Sequence, residues 1–249
     1  MTTLAIIGGT GVDELDGLQL TGSHDVTTPY GASSRPVQEG RLGDVRLYFL
    51  QRHGAPQAIP PHLINYRANL WALRSLGVDD VVAINAVGGI SAPMRPGCLL
   101  IPDQIIDYTW GREHTFDDGA EGSLMHIDFS RPYSAVLRSA LVNAAAGEGI
   151  AHSAAGVYGA TQGPRLETAA EIRRMARDGC DVVGMTGMPE AALARELGMA
   201  YAAVCMVVNP AAGLEDEPIT LEAMRGILRR EAAVVRRLLG ALVRERYGS

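Results

Sequence analysis

The sequence predicts an α/β fold in which a mostly parallel sheet is covered by helices. Three observations carry that prediction. Short apolar, β-branched runs recur along the chain, segments with helical spacing lie between them, and glycines or polar residues stand just past the run ends. In open α/β sheets those strand ends are where ligands bind.

The elements follow in order. "LAII" (4–7) reads as a strand ending at Gly8-Gly9, and "VRLYFLQ" (45–51) as another ending at Arg52-His53. Between them, "VDELDGLQLTGSHDVTTPYG" contains no long amphipathic helix. In "NYRANLWALRSLG" (65–77), Tyr66, Leu70, Leu73 and Leu76 share one helical face, and Gly77 is a C-terminal stop. "DVVAINAVGG" (80–89) is a buried strand running into a small-residue loop, and "CLLIPDQIIDYT" (98–109) is one or two strands around Pro102. Residues 132–148 are helical, and "AGVYGATQGP" (155–164) is a strand into a turn. "ETAAEIRRMARDG" (167–179) is a helix with Gly179 beyond its end; "DVVGMTGMP" (181–189) is a strand and a turn. "PEAALAREL" (189–197) is a helix with Pro189 in its first turn. "AVCMVVNPAAGL" (202–213) is a strand stopping on Asn209, and Thr220 caps a helix that runs to about residue 246.

Repeats, low-complexity segments and Pro/Ser-rich linkers are missing from the sequence, so residues 1–249 are expected to form one domain. Aromatics make up 5% and the net charge is −6 without a Lys/Arg run, which points away from nucleic acid or anionic membranes as partners. The apolar runs fall short of the ~20 residues that span a bilayer, and "MTTLAIIGGTG" lacks a basic n-region. Cys98, Cys180 and Cys205 show neither disulfide nor zinc spacing. Reduced thiols in the cytoplasm are expected.

Several strand ends offer anion donors. "IIGGTG" (6–11) is a glycine turn with the Thr10 hydroxyl. A dinucleotide fingerprint would need a third small residue and a helix directly after; position 14 is Glu. Arg52 can fork onto an oxyanion beside His53. Asn85-Ala86, and Thr186 at a helix start, add more donors. Thr186 could equally be a plain N-cap. Glu167 begins a helix, where the dipole favours it or a ligand needs it. Asn209 precedes Pro210, as turn asparagines do, yet it ends a buried strand, where an unpaired amide is costly. The six histidines show no metal spacing, and no metal is expected. His62, His114 and His126 sit in loop-like stretches and could line a site.

"IIGGTG", "RHG…PPHLINYRANLWAL", "NAVGGI", "TQGPRLET", "DVVGMTGMPEAALAREL" and "NPAAG" together resemble the trimeric nucleoside phosphorylases, the family of purine nucleoside and methylthioadenosine phosphorylases. The likeness runs from about residue 4 to 245. It implies a central mixed sheet curling into a barrel flanked by helices, a homotrimer, and phosphorolysis of an N-glycosidic bond. Inorganic phosphate is then a co-substrate, and no metal or organic cofactor is needed.

Carried over by residue, the resemblance places phosphate at Thr10, Arg52, His53, Asn85, the Ala86 N–H and Thr186. Asn85 stands where relatives often have Thr. Met185 lies against the ribose, and Leu166, Glu167 and Asn209 against the base; Leu166 replaces a customary Phe. Asn209 and Ala211 occupy positions where 6-aminopurine relatives carry aspartates. An amide cannot act as a general acid, whereas Glu167 can accept the N1–H of a 6-oxopurine. Leu221 and Met224 would line the pocket for the 5′ group, with His126 from the neighbouring subunit; Leu and Met suit a thioether. The expected substrate is therefore S-methyl-5′-thioinosine. The alternatives are inosine or guanosine, and methylthioadenosine.

Overall fold

The computed structural model describes residues 2–9, 15–56, 58–119, 124–215 and 219–248, with the side chain of Leu221 excepted. Thr10 and the Leu221 side chain, both expected in the site, lie outside that set.

β1 (Leu4–Gly8) lies between β4 (Val45–Gln51) and β5 (Asp80–Gly89), parallel to both. β11 (Ala200–Pro210) runs parallel along β5. Toward its end β5 also pairs, antiparallel, with β10 (Val182–Gly184). From β10 the sheet continues in parallel through β9 (Val157–Ala160) to β7 (Gln104–Asp107). On the other branch β6 (Leu99–Leu100) pairs with β11, and β8 (His152–Ser153) with β6. β2 (Leu18–His24) and β3 (Val37–Leu42) form an antiparallel meander with β4. The sheet is thus mixed, with six parallel and four antiparallel strand pairings among the described residues, so it is mostly parallel as expected. Among the described residues no pairing joins its outer strands β2 and β7, so a closed barrel is not seen.

Both faces are covered, which is why β1, β5 and β11 read as unbroken apolar runs. Alternate residues go to opposite faces. Ala5, Ile7 and Ala83 pack with Leu70 and Leu73 of α1 (Tyr66–Ser75) and Leu193 of α4 (Gly187–Glu196). Leu4, Ile6 and Val82 pack with Leu137 and Leu141 of α2 (Ala135–Gly147) and Leu238 and Leu242 of α5 (Leu221–Arg246). The meander is not read from the sequence: no strand is expected over 12–31, whereas β2 lies there with its middle residues exposed. An exposed edge strand needs no apolar alternation, so the sequence carries no signal for it.

The helix starts obey local rules. Asn65, Ser134 and Thr220 accept hydrogen bonds from the backbone N–H groups of Ala68, Leu137 and Ala223. α3 (Ala169–Arg177) opens with a full capping box, Thr168 with Glu171. At the far end of α5, Asp80 accepts from Arg246 Nε (3.1 Å) and Nη2 (3.0 Å) and from the Tyr247 hydroxyl (2.5 Å). The helix that backs the cavity is therefore tied to the start of the central strand.

Candidate active site

Beyond the carboxyl ends of β1, β4 and β11 lies a cavity of about 730 Å³. It gathers the expected anion donors Arg52, His53, Asn85, Ala86 and Thr186, with Gly9 of the first glycine turn. It also gathers Leu166, Glu167, Met185, Asn209, Ala211 and Met224. His62, His114 and His126 do not line it; His126 is exposed on this chain. Asn85 and Ala86 lie inside β5 rather than past its end, because β5 continues to Gly89 between β11 and β10.

Arg52 is almost wholly enclosed, at 2% exposure. Its Nε donates to Glu190 Oε2 (2.7 Å) and its Nη2 to Glu190 Oε1 (2.9 Å). Nη1 donates to the Ile84 carbonyl (3.1 Å), with a longer Nη2 contact to the Ile7 carbonyl (3.5 Å). The fork expected for an oxyanion is thus closed on Glu190, and one Nη1 hydrogen is left without a partner among the described residues. Burial pulls the guanidinium pKa down, but the Glu190 carboxylate outweighs it and holds Arg52 charged.

His53 Nδ1 lies 3.0 Å from the Ile59 carbonyl, which can only accept, so Nδ1 carries a hydrogen. Burial pushes His53 below its usual range, against the pull of that carbonyl. The ring is therefore neutral near pH 7, with its Nε2 lone pair open.

Thr186 stands at the N-cap of α4, but its side chain does not cap the helix. Its hydroxyl donates to Asn85 Oδ1 (3.1 Å). Asn85 Nδ2 is buried and has no hydrogen-bond partner among the described residues. The regular turns of α4 begin at Pro189, after a non-helical Met188, as the sequence pattern expects.

Glu167 precedes the N-cap of α3, and the capping box uses Thr168 and Glu171 instead. The helix does not need Glu167. Its Oε1 accepts from the Thr161 hydroxyl (2.6 Å), which leaves Oε2 for a ligand. Asn209 sits at a bulge in β11, where the register against β5 shifts between Val207 and Asn209. Its Nδ2 donates to the Pro210 carbonyl (2.6 Å), so Oδ1 and the second Nδ2 hydrogen remain. Gly163 lets Met185 approach: a Cβ there would sit 2.4 Å from Met185 Sδ, and its φ of +59° suits glycine.

Glu190 and Arg112 were not foreseen. Glu190 stands in the quoted "DVVGMTGMPEAALAREL" but gives only a helix-start signal locally, since its partner Arg52 is 138 positions away. Arg112 follows no motif at all.

Residues 3–244 match the model of the phosphorylase superfamily. The chain belongs to that superfamily. Its relatives are nucleoside phosphorylases, and so is this enzyme. It is 52% identical over 245 residues to a probable S-methyl-5′-thioinosine phosphorylase of Pseudomonas syringae pv. tomato, covering 97% of this chain and 100% of the relative. It is 44% identical over 248 residues to the 6-oxopurine nucleoside phosphorylase of Pyrococcus furiosus, covering 98% and 92%. Among solved structures, methylthioadenosine phosphorylase from Schistosoma mansoni in complex with adenine superposes with a TM-score of 0.92 at 33% identity, covering 98% of this chain and 91% of that one.

Among the described residues of this phosphorylase, no group of three or more His, Cys, Asp and Glu could hold a metal ion. No helix among them is long and apolar enough to cross a membrane.

Proposed function

We propose that the chain cleaves S-methyl-5′-thioinosine with inorganic phosphate, giving hypoxanthine and 5-methylthioribose 1-phosphate. One observation carries this reading: Glu167 and Asn209 share a cavity with an apolar stretch of wall on α5, formed by Met224, Leu228, Val235 and Leu239, beside which Arg225, Arg229 and Arg236 also line the cavity. The carboxylate accepts the N1–H of a 6-oxopurine, and the apolar wall receives a methylthio group. The relative from Pseudomonas supports the same substrate.

The chemistry follows from the residue types. Phosphate is held by the Ala86 N–H and the remaining Arg52 hydrogen, its own P–OH donates to the open His53 Nε2, and the Thr186 hydroxyl turns from Asn85 to donate to a phosphate oxygen, with Thr10 as a further donor. A phosphate oxygen forms a bond to C1′ while the C1′–N9 bond breaks, and its electron pair passes to the purine. Positioning does most of the work on the phosphate side. On the purine side Asn209 donates toward N7, where the charge collects. Met185 and Leu166 cover the sugar and the base, and Ala211 leaves the loop without a carboxylate. Met224 flanks the 5′ group, and His126 of a neighbouring subunit completes the pocket. The enzyme acts as a single domain in a cytoplasmic homotrimer, without metal or organic cofactor.

A second reading, a general inosine and guanosine phosphorylase, has the same base contacts and the Pyrococcus relative in its favour. The two separate on kcat/KM for methylthioinosine, inosine and methylthioadenosine with phosphate in excess. Methylthioinosine is expected to lead. Equal values for inosine would favour the general enzyme, and a lead for methylthioadenosine would overturn the reading of Asn209. Asn209→Asp supplies a group that can protonate N7, so the ratio of methylthioadenosine to methylthioinosine turnover should rise. An unchanged ratio would show that Asn209 does not read position 6.

A further inference from the structure

Arg112 is buried, at 8% exposure, in an irregular stretch between β7 and α2. No carboxylate pairs with it among the described residues. Its charge is instead surrounded by carbonyl and amide oxygens from two loops of the site. Nη1 donates to the carbonyls of Met185 (2.8 Å) and Met188 (2.6 Å), on either side of Thr186. Nη2 donates to the carbonyls of Thr161 (3.1 Å) and Gln162 (2.8 Å), and Nε to Gln162 Oε1 (3.2 Å). The Tyr66 hydroxyl lies 3.3 Å from Nη1, and the Tyr66 ring also packs against the guanidinium.

The two loops serve different halves of the cavity. The segment from Met185 to Met188 carries Thr186 and opens α4. Thr161 holds Glu167 through its hydroxyl. A guanidinium suits this bridge because its five N–H groups form a rigid planar fork; a lysine ammonium is a single point on a flexible stem. Irregular loops have few backbone partners of their own, so their carbonyls need a donor from outside.

We propose that Arg112 is a positioning residue that locks the phosphate loop and the base loop in one mutual register. The inference rests on reading the cavity as a phosphate and nucleoside site. Arg112 touches no substrate. It acts by setting the separation between Thr186 and the Thr161–Glu167 pair, and misplacement by about 1 Å can cost about 10²-fold in rate.

The test compares wild type, Arg112→Ala and Arg112→Lys in the phosphorolysis of methylthioinosine, with near-UV circular dichroism as a check on folding. Arg112→Ala should raise KM for phosphate and for nucleoside together and lower kcat, a loss of about 10²-fold in kcat/KM. Millimolar guanidinium, far below denaturing levels, should restore part of it. Arg112→Lys keeps the charge but cannot bridge both loops, so it should show the same joint rise, and it decides the matter if the alanine variant does not fold. A change confined to one co-substrate, or variants as active as wild type, would overturn the proposal. A folded alanine variant that guanidinium does not rescue would do the same. A wild-type enzyme that cleaves no purine nucleoside would instead sink the functional reading, and this inference with it.

Discussion

Glu190→Ala is expected to lower the melting temperature by about 6–20 °C. Glu190 is fully buried, and its carboxylate accepts from Arg52 Nε, Arg52 Nη2 and the Tyr201 hydroxyl (2.8 Å). Removing it strands a guanidinium that is itself enclosed. Breaking one side of a buried pair costs about 3–5 kcal/mol, and a chain of this size shifts by about 2–4 °C per kcal/mol. Replacing both partners by methionine removes the stranded charge as well, so Arg52→Met/Glu190→Met should recover most of the lost stability. It should not recover phosphorolysis, because the buried charge at the phosphate end is gone. Thermal melts of the single and double variants read the first part, and product formation reads the second. A double variant no more stable than Glu190→Ala would show that the cost is packing, not an unpaired charge.

Glu167→Gln should produce the largest loss of activity with the smallest loss of stability. The capping box of α3 is complete without Glu167, so the fold has little use for its charge. The amide would turn a donor toward the N1–H of hypoxanthine, placing two donors face to face. Loss of one preorganised contact of this kind costs about 10²–10³-fold in rate. Adenine has a bare N1, which the new amide can meet, so methylthioadenosine should lose much less or gain. Side-by-side kcat/KM values and a melting curve check both statements. If methylthioinosine turnover is unchanged, Glu167 does not contact the base.

These two residues mark how differently the site was legible. Glu167 could be singled out in "TQGPRLET", although its local role stayed open; the structure shows Thr168 and Glu171 making the cap and Glu167 standing apart. Glu190 had no readable role, because the bond that defines it spans 138 positions. Arg52 was recognised as a fork for an oxyanion, and the fork is largely occupied by Glu190. Thr186 was open between cap and ligand donor, and its hydroxyl turns to Asn85 rather than to α4.

By itself the sequence determined the order of the helices and of the buried strands, the cap at Thr220, and the strand-end residues that meet in one cavity. Those follow from local rules, in which period, capping and glycine stops act within a few residues. Only the tertiary structure decided the branching of the sheet at β5, the place of the β2–β3 meander with its exposed edge strand β2, and the partners of Arg52 and Arg112. Strand pairing and buried polar contacts join positions far apart in the chain. A charged group is told apart from its surface counterpart only by what the fold packs around it.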